Sequence, residues 1–376
     1  MAQGVGPRYP PGMRGEKQPQ ITMLSVQQPG DMVPRDHPIR LVKALADAAL
    51  FELNRTFDKM YSKKGRASVP PERLLKATLL MAFYSIRSER LFCEQLGYNM
   101  LFRWFLDMDN SEGPFDHSTF SQNRDRLLKH EVAGKFFAEI VGQAREKGLM
   151  SDEHFTVDGT LIEAWASLKS FRPKGEKRDD DPPDDPGNPT VNFHGEKRSN
   201  QTHESTTDPE ARLMKKGPGK EAKLSFSQNV LMENRNGLMV DVLLAQADGF
   251  AERKTALAML DRSLPGTKRV TLAGDKGYDT ADFVEACRER NVTPHIAANT
   301  GRAGGSALDE RTLRHVGYKI SQVIRKRVEE IFGWTKSIGG FRKTRYKGVQ
   351  RNQFAAYMVG AAYNLLRMAR LEHALA

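Results

Sequence analysis

Two short segments place an acid after apolar residues at strand spacing. In "EHFTVDGTLI" (153–162), Phe155, Val157 and Leu161 read as the apolar face of a short strand, with Asp158 at its end and Gly159 next. "LAGDKGYDT" repeats the pattern, with Val270 and Leu272 leading to Gly274 and Asp275. Asp158 has no neighbouring base in sequence to pair it. Sites in open sheets form at strand ends. If these strands are neighbours, the two carboxylates lie close together. Two close carboxylates repel, and without a cation one of them takes up a proton. A divalent metal resolves this, and Mg²⁺ favours one or two carboxylates plus water and phosphate.

A third acid comes from a basic helix predicted over about 319–336. Ile324, Val328, Ile331, Thr335 and Ile338 form its core stripe at spacings of four, three, four and three. At 100° per residue, Gln322, Arg325, Glu329 and Lys336 share a different face. Glu329 therefore points away from the core, among cations, and Glu330 is the weaker candidate. Two strand-end Asp and one helical Glu can hold two metals for in-line phosphoryl transfer. Each acid also has a structural reading. An Asp before Gly serves turns and caps, and a Glu among Arg and Lys forms helix salt bridges. Three acids, a basic helix and a strand–helix alternation together fit one active site.

The elements that must position these residues follow from pattern. Residues 38–150 read as helices: "PIRLVKALADAALFELNRTFDKMY", "SVPPERLLKATLLMAFYSI", "SERLFCEQL" opening at Ser88, "DHSTFSQNRDRLLKH" opening at Asp116 or Ser118, and a stretch over about 131–147. Short capped helices suit a helix-turn-helix-like DNA-binding domain, or equally a packing or dimerisation domain. From residue 151 the order is strand, long loop, two strands joined at Asn236-Gly237, helix, strand, helix, strand, loop and two helices. That order predicts a mixed sheet flanked by helices, an α/β (α+β) chain. Residues 1–37 form a disordered N-terminal extension rich in Gly, Pro and Gln, within which Met23 is an alternative start. Residues 151–376 form the catalytic domain. Its segment at about 168–222, full of Pro, Gly, Asp and Lys, is a flexible insertion.

Bulk properties narrow the classes. The 376 residues are enough for two or three domains with real cores. No apolar run approaches the roughly 18 residues of a membrane span, and no signal peptide is visible. Cys93 and Cys287 lie far apart and read as buried thiols in a reducing cytoplasm. His154, His194 and His203 lack a zinc spacing. Net charge is +11, and residues 311–351, with twelve Lys or Arg against Glu329 and Glu330, carry +10 of it. A localised positive field implies a polyanion, most often nucleic acid.

These residues resemble a known family. "HFTVDGTLIEAWASLKSFRPK", "KRSNQTHESTTDPEARL", "LAGDKGYD" and "RKRVEEIFGWTKSIGGFRKTRYKG" resemble transposases of the insertion-sequence-5 group, within the insertion-sequence-4-like transposases, as does "FYSIRSERLFCEQLGYNMLFRWF…DHSTFSQNRDRLL". The likeness runs from about residue 30 to 371. It implies an RNase H-like catalytic fold with a D,D,E triad of Asp158, Asp275 and Glu329, holding two Mg²⁺ or Mn²⁺ ions when DNA is bound. The wider group has a Tyr, Arg, Glu, Lys pattern with gaps of two, three and six. Arg325, Glu329 and Lys336 match it, while Gln322 stands at the Tyr position.

The implied partners are double-stranded DNA with terminal inverted repeats, target DNA and a second copy of the chain, in a bacterial cytoplasm at the nucleoid, with no membrane. Arg325, Lys336, Lys276, Arg342, Lys343 and Arg345 are expected to hold phosphates. Arg124 and Arg126 are candidate contacts for the inverted repeats, and Trp165 for stacking on a displaced base. Two other readings stand beside the transposase: a DNA-binding protein with an inactive transposase domain, and a metal-dependent nuclease without strand transfer.

Overall fold

The computed structural model describes residues 28–61, 68–175, 192–193, 196–217, 219–249, 251–264, 266 and 268–375. Met23, His194 and most of the expected N-terminal extension lie outside them. Residues 28–37 open with a 3₁₀ turn at Pro29–Met32.

Among the described residues, seven helices occupy the N-terminal region: α1 (Ile39–Glu52), α2 (Asn54–Met60), α3 (Pro71–Phe83), α4 (Glu89–Leu96), α5 (Met100–Phe105), α6 (Ser118–Lys129) and α7 (Val132–Glu146). Their starts follow local chemistry. Pro71 opens α3, where a missing N–H costs nothing. Ser88 Oγ accepts from the Leu91 N–H at 3.2 Å to cap α4. Asp116 Oδ1 accepts from the Ser118 N–H at 2.8 Å before α6. The additional helix α5 is capped by Asn99, whose Oδ1 accepts from the Phe102 N–H at 3.2 Å.

The main sheet has six strands: β1 (His154–Glu163), β2 (Arg212–Lys215), β3 (Ala222–Glu233), β4 (Met239–Gln246), β5 (Val270–Gly274) and β6 (Val292–Ile296). The order is β6-β5-β1-β3, and β3 is long enough to pair with β2 near its start and β4 beyond. The β1–β3 and β3–β4 pairs are antiparallel, while β1–β5 and β5–β6 are parallel. Three antiparallel strands continuing into two parallel ones make the expected RNase H-like mixed sheet. Gly237, at φ +72°, turns the chain between β3 and β4, and the buried Glu233 carboxylate accepts from the Arg235, Asn236 and Leu238 N–H groups there.

Helices cover both faces. On one face α8 (Ala251–Ser263) and α9 (Ala281–Glu289) close a core with Val157, Leu231, Met259 and Phe283. On the other, Ile162, Val230 and Phe226 join a core running through the N-terminal helices, α12 (Val328–Lys336) and α13 (Val349–Leu375). The helices α10 (Glu310–Arg314) and α11 (Val316–Ile324) precede α12. Among the described residues no helix is long and apolar enough to cross a membrane. Cys93 and Cys287 are both free and buried.

Three local expectations change. The basic helix is not continuous, because a 3₁₀ turn at Arg325–Arg327 separates α11 from α12. Val328, Ile331 and Thr335 are buried as expected, but Ile338 lies past the end of α12 and is 41% exposed. Asp158 does not end its strand, since β1 continues along β3 to Glu163. Within 168–222, Phe171–Pro173 pairs with His203–Ser205, Asn192–Phe193 with Glu196–Lys197, and β2 is an edge of the main sheet.

Candidate active site

Asp158 stands where β1 outruns β5. The parallel register pairs Thr156 with Ala273, so two residues on Asp158 is level with Asp275, immediately past the end of β5. Alternation along β1 turns Asp158 and Thr160 toward α12, and Gly159 toward α8. The Asp158 Oδ1 accepts from the Gly159 N–H at 2.8 Å. Asp275 opens a 3₁₀ turn, Lys276–Tyr278, and its Oδ1 accepts from the Gly277 N–H at 2.8 Å. Glu329 projects from the first turn of α12 and is exposed.

The electrostatics tie these residues together. Burial, opposed by the Gly159 N–H and joined by the charges of Asp275, Glu329 and Glu252, raises the Asp158 carboxyl to about 7. Asp275 and Glu329 therefore both act on Asp158 in the fold. A fourth acid, Glu252 in the first turn of α8, was not anticipated. Burial and the charge of Asp275 raise its carboxyl above the ordinary value. Its side chain lies against the backbone just after Asp158: a Cβ on Gly159 would stand 2.9 Å from Glu252 Oε1. Sequence offered only a weak signal, because Glu in a first helical turn is common for its interaction with the helix dipole.

Tyr278 lies beneath the carboxylates. It is 1% exposed, and its hydroxyl has no hydrogen-bond partner among the described residues. Burial, then the charges of Glu252, Asp158 and Asp275, push the phenol well above its usual range. Among the described residues no three His, Cys, Asp or Glu stand together closely enough to hold a metal ion as they are.

Two family models match the sequence. One is described as "Transposase domain (DUF772)" and spans residues 27–126; the other is "Transposase DDE domain" and spans 191–365. The chain belongs to the DDE-type transposases. Asp275 and Glu329 fall inside the second span, and Asp158 lies upstream of it. Among solved structures, the piggyBac transposase synaptic complex with hairpin DNA is 10% identical, with 89% of this chain and 75% of that chain covered and a TM-score of 0.38. The Mos1 strand transfer complex and the Mos1 mariner paired end complex with Mn are each 11% identical, with 85% of this chain and 83% of theirs covered, at a TM-score of 0.20. Overlaps this loose add nothing to the two sequence matches.

The transposase distributes its basic candidates unevenly. Lys336 is on the last turn of α12 and donates through Nζ to Thr160 Oγ1, two residues beyond Asp158. Burial lowers its ammonium to about 8, with Lys216 and Arg342 adding repulsion and Glu329 opposing them. Lys276 is exposed on the turn after Asp275. Arg325 Nε donates to Gln322 Oε1 at 3.0 Å, and Gln322 Nε2 donates to the His295 carbonyl at 2.6 Å. Gln322 thus positions Arg325 rather than facing solvent.

The other candidates are engaged. Lys343 pairs with Glu163 at 3.0 Å. Arg124 and Arg345 both reach Glu89, at 2.6 and 3.8 Å, and both lie over the Tyr346 ring. Arg126 donates to Asn123 Oδ1 at 3.0 Å and lies over Tyr61. Trp165 is 54% exposed just past β1.

Proposed function

We propose that this transposase is the enzyme of a bacterial insertion sequence of the insertion-sequence-5 type. It binds terminal inverted repeats, cuts the phosphodiester at the element's ends to free a 3′-OH, and joins that hydroxyl to target DNA by a second in-line displacement. The observation that carries this reading is the convergence of charge on Asp158: Asp275 and Glu329, from two other elements, both act on its carboxyl.

The chemistry of the donors fits a hard divalent cation. All are carboxylate oxygens, the set that suits Mg²⁺ or Mn²⁺, and the unmet Tyr278 hydroxyl lies in the same place. Asp158, Asp275 and Glu329 would hold it after side-chain rotation. When bound, such ions activate the attacking oxygen and neutralise charge on the attacked and leaving groups. The residues of the chain then have distinct tasks. Asp158, mid-strand and backed by the sheet, would hold the cation in register with the reacting phosphodiester. Lys336 and Arg342, beside Thr160 and Lys216, meet the negative charge of the flanking strand. Arg325 and Lys276 extend that positive rim from the turns that follow α11 and β5.

The N-terminal helices are the proposed readers of the inverted repeats, and synapsis of two ends calls for at least a dimer on DNA. Residues 38–150 and 151–376 are the proposed DNA-binding and catalytic units. Arg124 and Arg345 already share Glu89, so the proposed phosphate contacts centre on Lys336, Arg325, Arg342 and Lys276, with Lys343 and Arg126 at the margin.

The test is cleavage of a labelled duplex carrying the element's own end, with Mg²⁺, with EDTA, and with Asp275→Asn. Metal-dependent cutting at the end, lost in the variant, supports the triad. Binding without cutting, alike in both proteins, leaves a DNA-binding relic; cutting without joining leaves a nuclease.

A further inference from the structure

Glu252 approaches the site from the face of the sheet opposite to Glu329. It comes from the first turn of α8, against the α8 side of β1, where the absent side chain of Gly159 leaves room for its carboxylate. A Cβ at Gly159 would meet Glu252 Oε1 at 2.9 Å and Asn229 Oδ1 at 2.8 Å, closer than such atoms tolerate. The glycine therefore lets an acid approach β1 directly beside Asp158. Arg253, the neighbour of Glu252, donates to the Gly277 carbonyl at 3.1 Å, tying the start of α8 to the turn that begins with Asp275. The buried Tyr278 hydroxyl, with no partner among the described residues, lies among Glu252, Asp158 and Asp275. Carboxylates crowded around an unmet hydroxyl are the surroundings of a hydrated cation rather than of an ordinary core.

We infer that Glu252 is a fourth carboxylate of the metal site, binding the same divalent cation as Asp158 and Asp275. Its part in the chemistry rests on the D,D,E reading above. The site is then built from both faces of one sheet: Glu329 and Lys336 arrive with α12, and Glu252 arrives with α8. The cation holds these two helices to the middle of β1 and the end of β5.

The test is Mn²⁺ binding to the full chain without DNA, followed by electron paramagnetic resonance of the free ion and paired with melting in EDTA. Wild type, Asp275→Asn, Glu252→Gln and Gly159→Ala are compared. Gly159→Ala keeps all four acids in the chain but displaces the Glu252 carboxylate. The expected result is at least tenfold weaker Mn²⁺ binding in Glu252→Gln and Gly159→Ala, with a melting temperature in EDTA no lower than wild type for Glu252→Gln. Wild-type affinity in both variants, with weak binding in Asp275→Asn, overturns the role of Glu252 and leaves the triad standing. Weak binding with a lower melting temperature in both makes Glu252 structural and also overturns it. No Mn²⁺ binding in wild type, or none lost in Asp275→Asn, removes the triad reading and this assignment with it.

Discussion

A carboxyl held near pH 7 among three other acids costs the metal-free fold stability. The shift of Asp158 is upward, so the cost is absent below its ordinary value near 4 and complete above about 7. Asp158→Asn removes it. In EDTA at pH 8 that variant is expected to melt higher than wild type, by on the order of a few degrees, while losing cleavage by more than roughly a thousandfold. A lower melting temperature would contradict the repulsion described for the site. Lys336 gives a complementary test. If it meets a phosphate, Lys336→Ala weakens binding to all duplexes alike and lowers the slope of log K against log salt by about one. A change confined to one DNA sequence would assign it base contact instead.

At this scale the acids were partly legible. Asp275 was, because it repeats the strand-end pattern of Asp158 and so pairs with it as a candidate. Glu329 was, because helical periodicity separates it from its buried neighbours. Glu252 was not, since its significance depends on Gly159, which lies 93 residues away and meets it only in the fold.

Elements set how these residues meet. The strand carrying Asp158 looked short because its apolar alternation weakens after Leu161, yet β3 offers it a partner to Glu163. Pairing, not local propensity, sets its length. The break at Arg325–Arg327 was equally hidden, as no Pro or Gly marks it. Three consecutive basic residues in a tight turn separate α11 from α12, and Gln322 and Glu329 thereby come to belong to different helices.

Two predictions belong to elements. His295, on β6, is buried against α11, with Nδ1 2.8 Å from Ser321 Oγ. Burial, helped by His315 and His154, lowers it to about 4. A depressed histidine stays neutral in the fold while the unfolded chain protonates, so stability falls as pH drops from about 6.5 towards 4 and changes little above that window. The melting temperature of wild type should show this acid limb, and His295→Gln should flatten it. The second concerns α3, where Lys76 is 3% exposed and bridges Asp47 of α1 to Asp107. Lys76→Ala leaves Asp47 and Asp107 to Lys43 alone, and urea unfolding should show a loss of about 1–2 kcal/mol.

The whole molecule is held by a seam between the N-terminal helices and the C-terminal half. Glu89, at the start of α4, serves Arg124 of α6 and Arg345 beyond α12. Glu89→Ala leaves two arginines without their shared acid. It should destabilise the chain by about 1–2 kcal/mol in thermal unfolding, and an unchanged melting curve would show the seam to be held by packing alone. The two-part organisation could be anticipated from sequence, as helices precede the alternating strands. Its intimacy could not, because the residues that join the halves are about 250 positions apart, Ser85 Oγ reaching the Ile338 carbonyl and Arg87 the Lys343 carbonyl.

The last helix sets the order in which the molecule can be made. Helix α13 packs against α7, where Phe137 meets Tyr357, and against β4, where Asn364 accepts from the Met239 N–H and donates to the Met239 carbonyl. During synthesis the helices of the N-terminal region emerge first, and their apolar faces then wait some 200 residues for the segment that covers them. Until α13 arrives, Phe137 and the strand behind Met239 are open to chaperones or to neighbouring nascent chains. A transposase built this way completes its fold only late in each round of translation, when its last helix has been made.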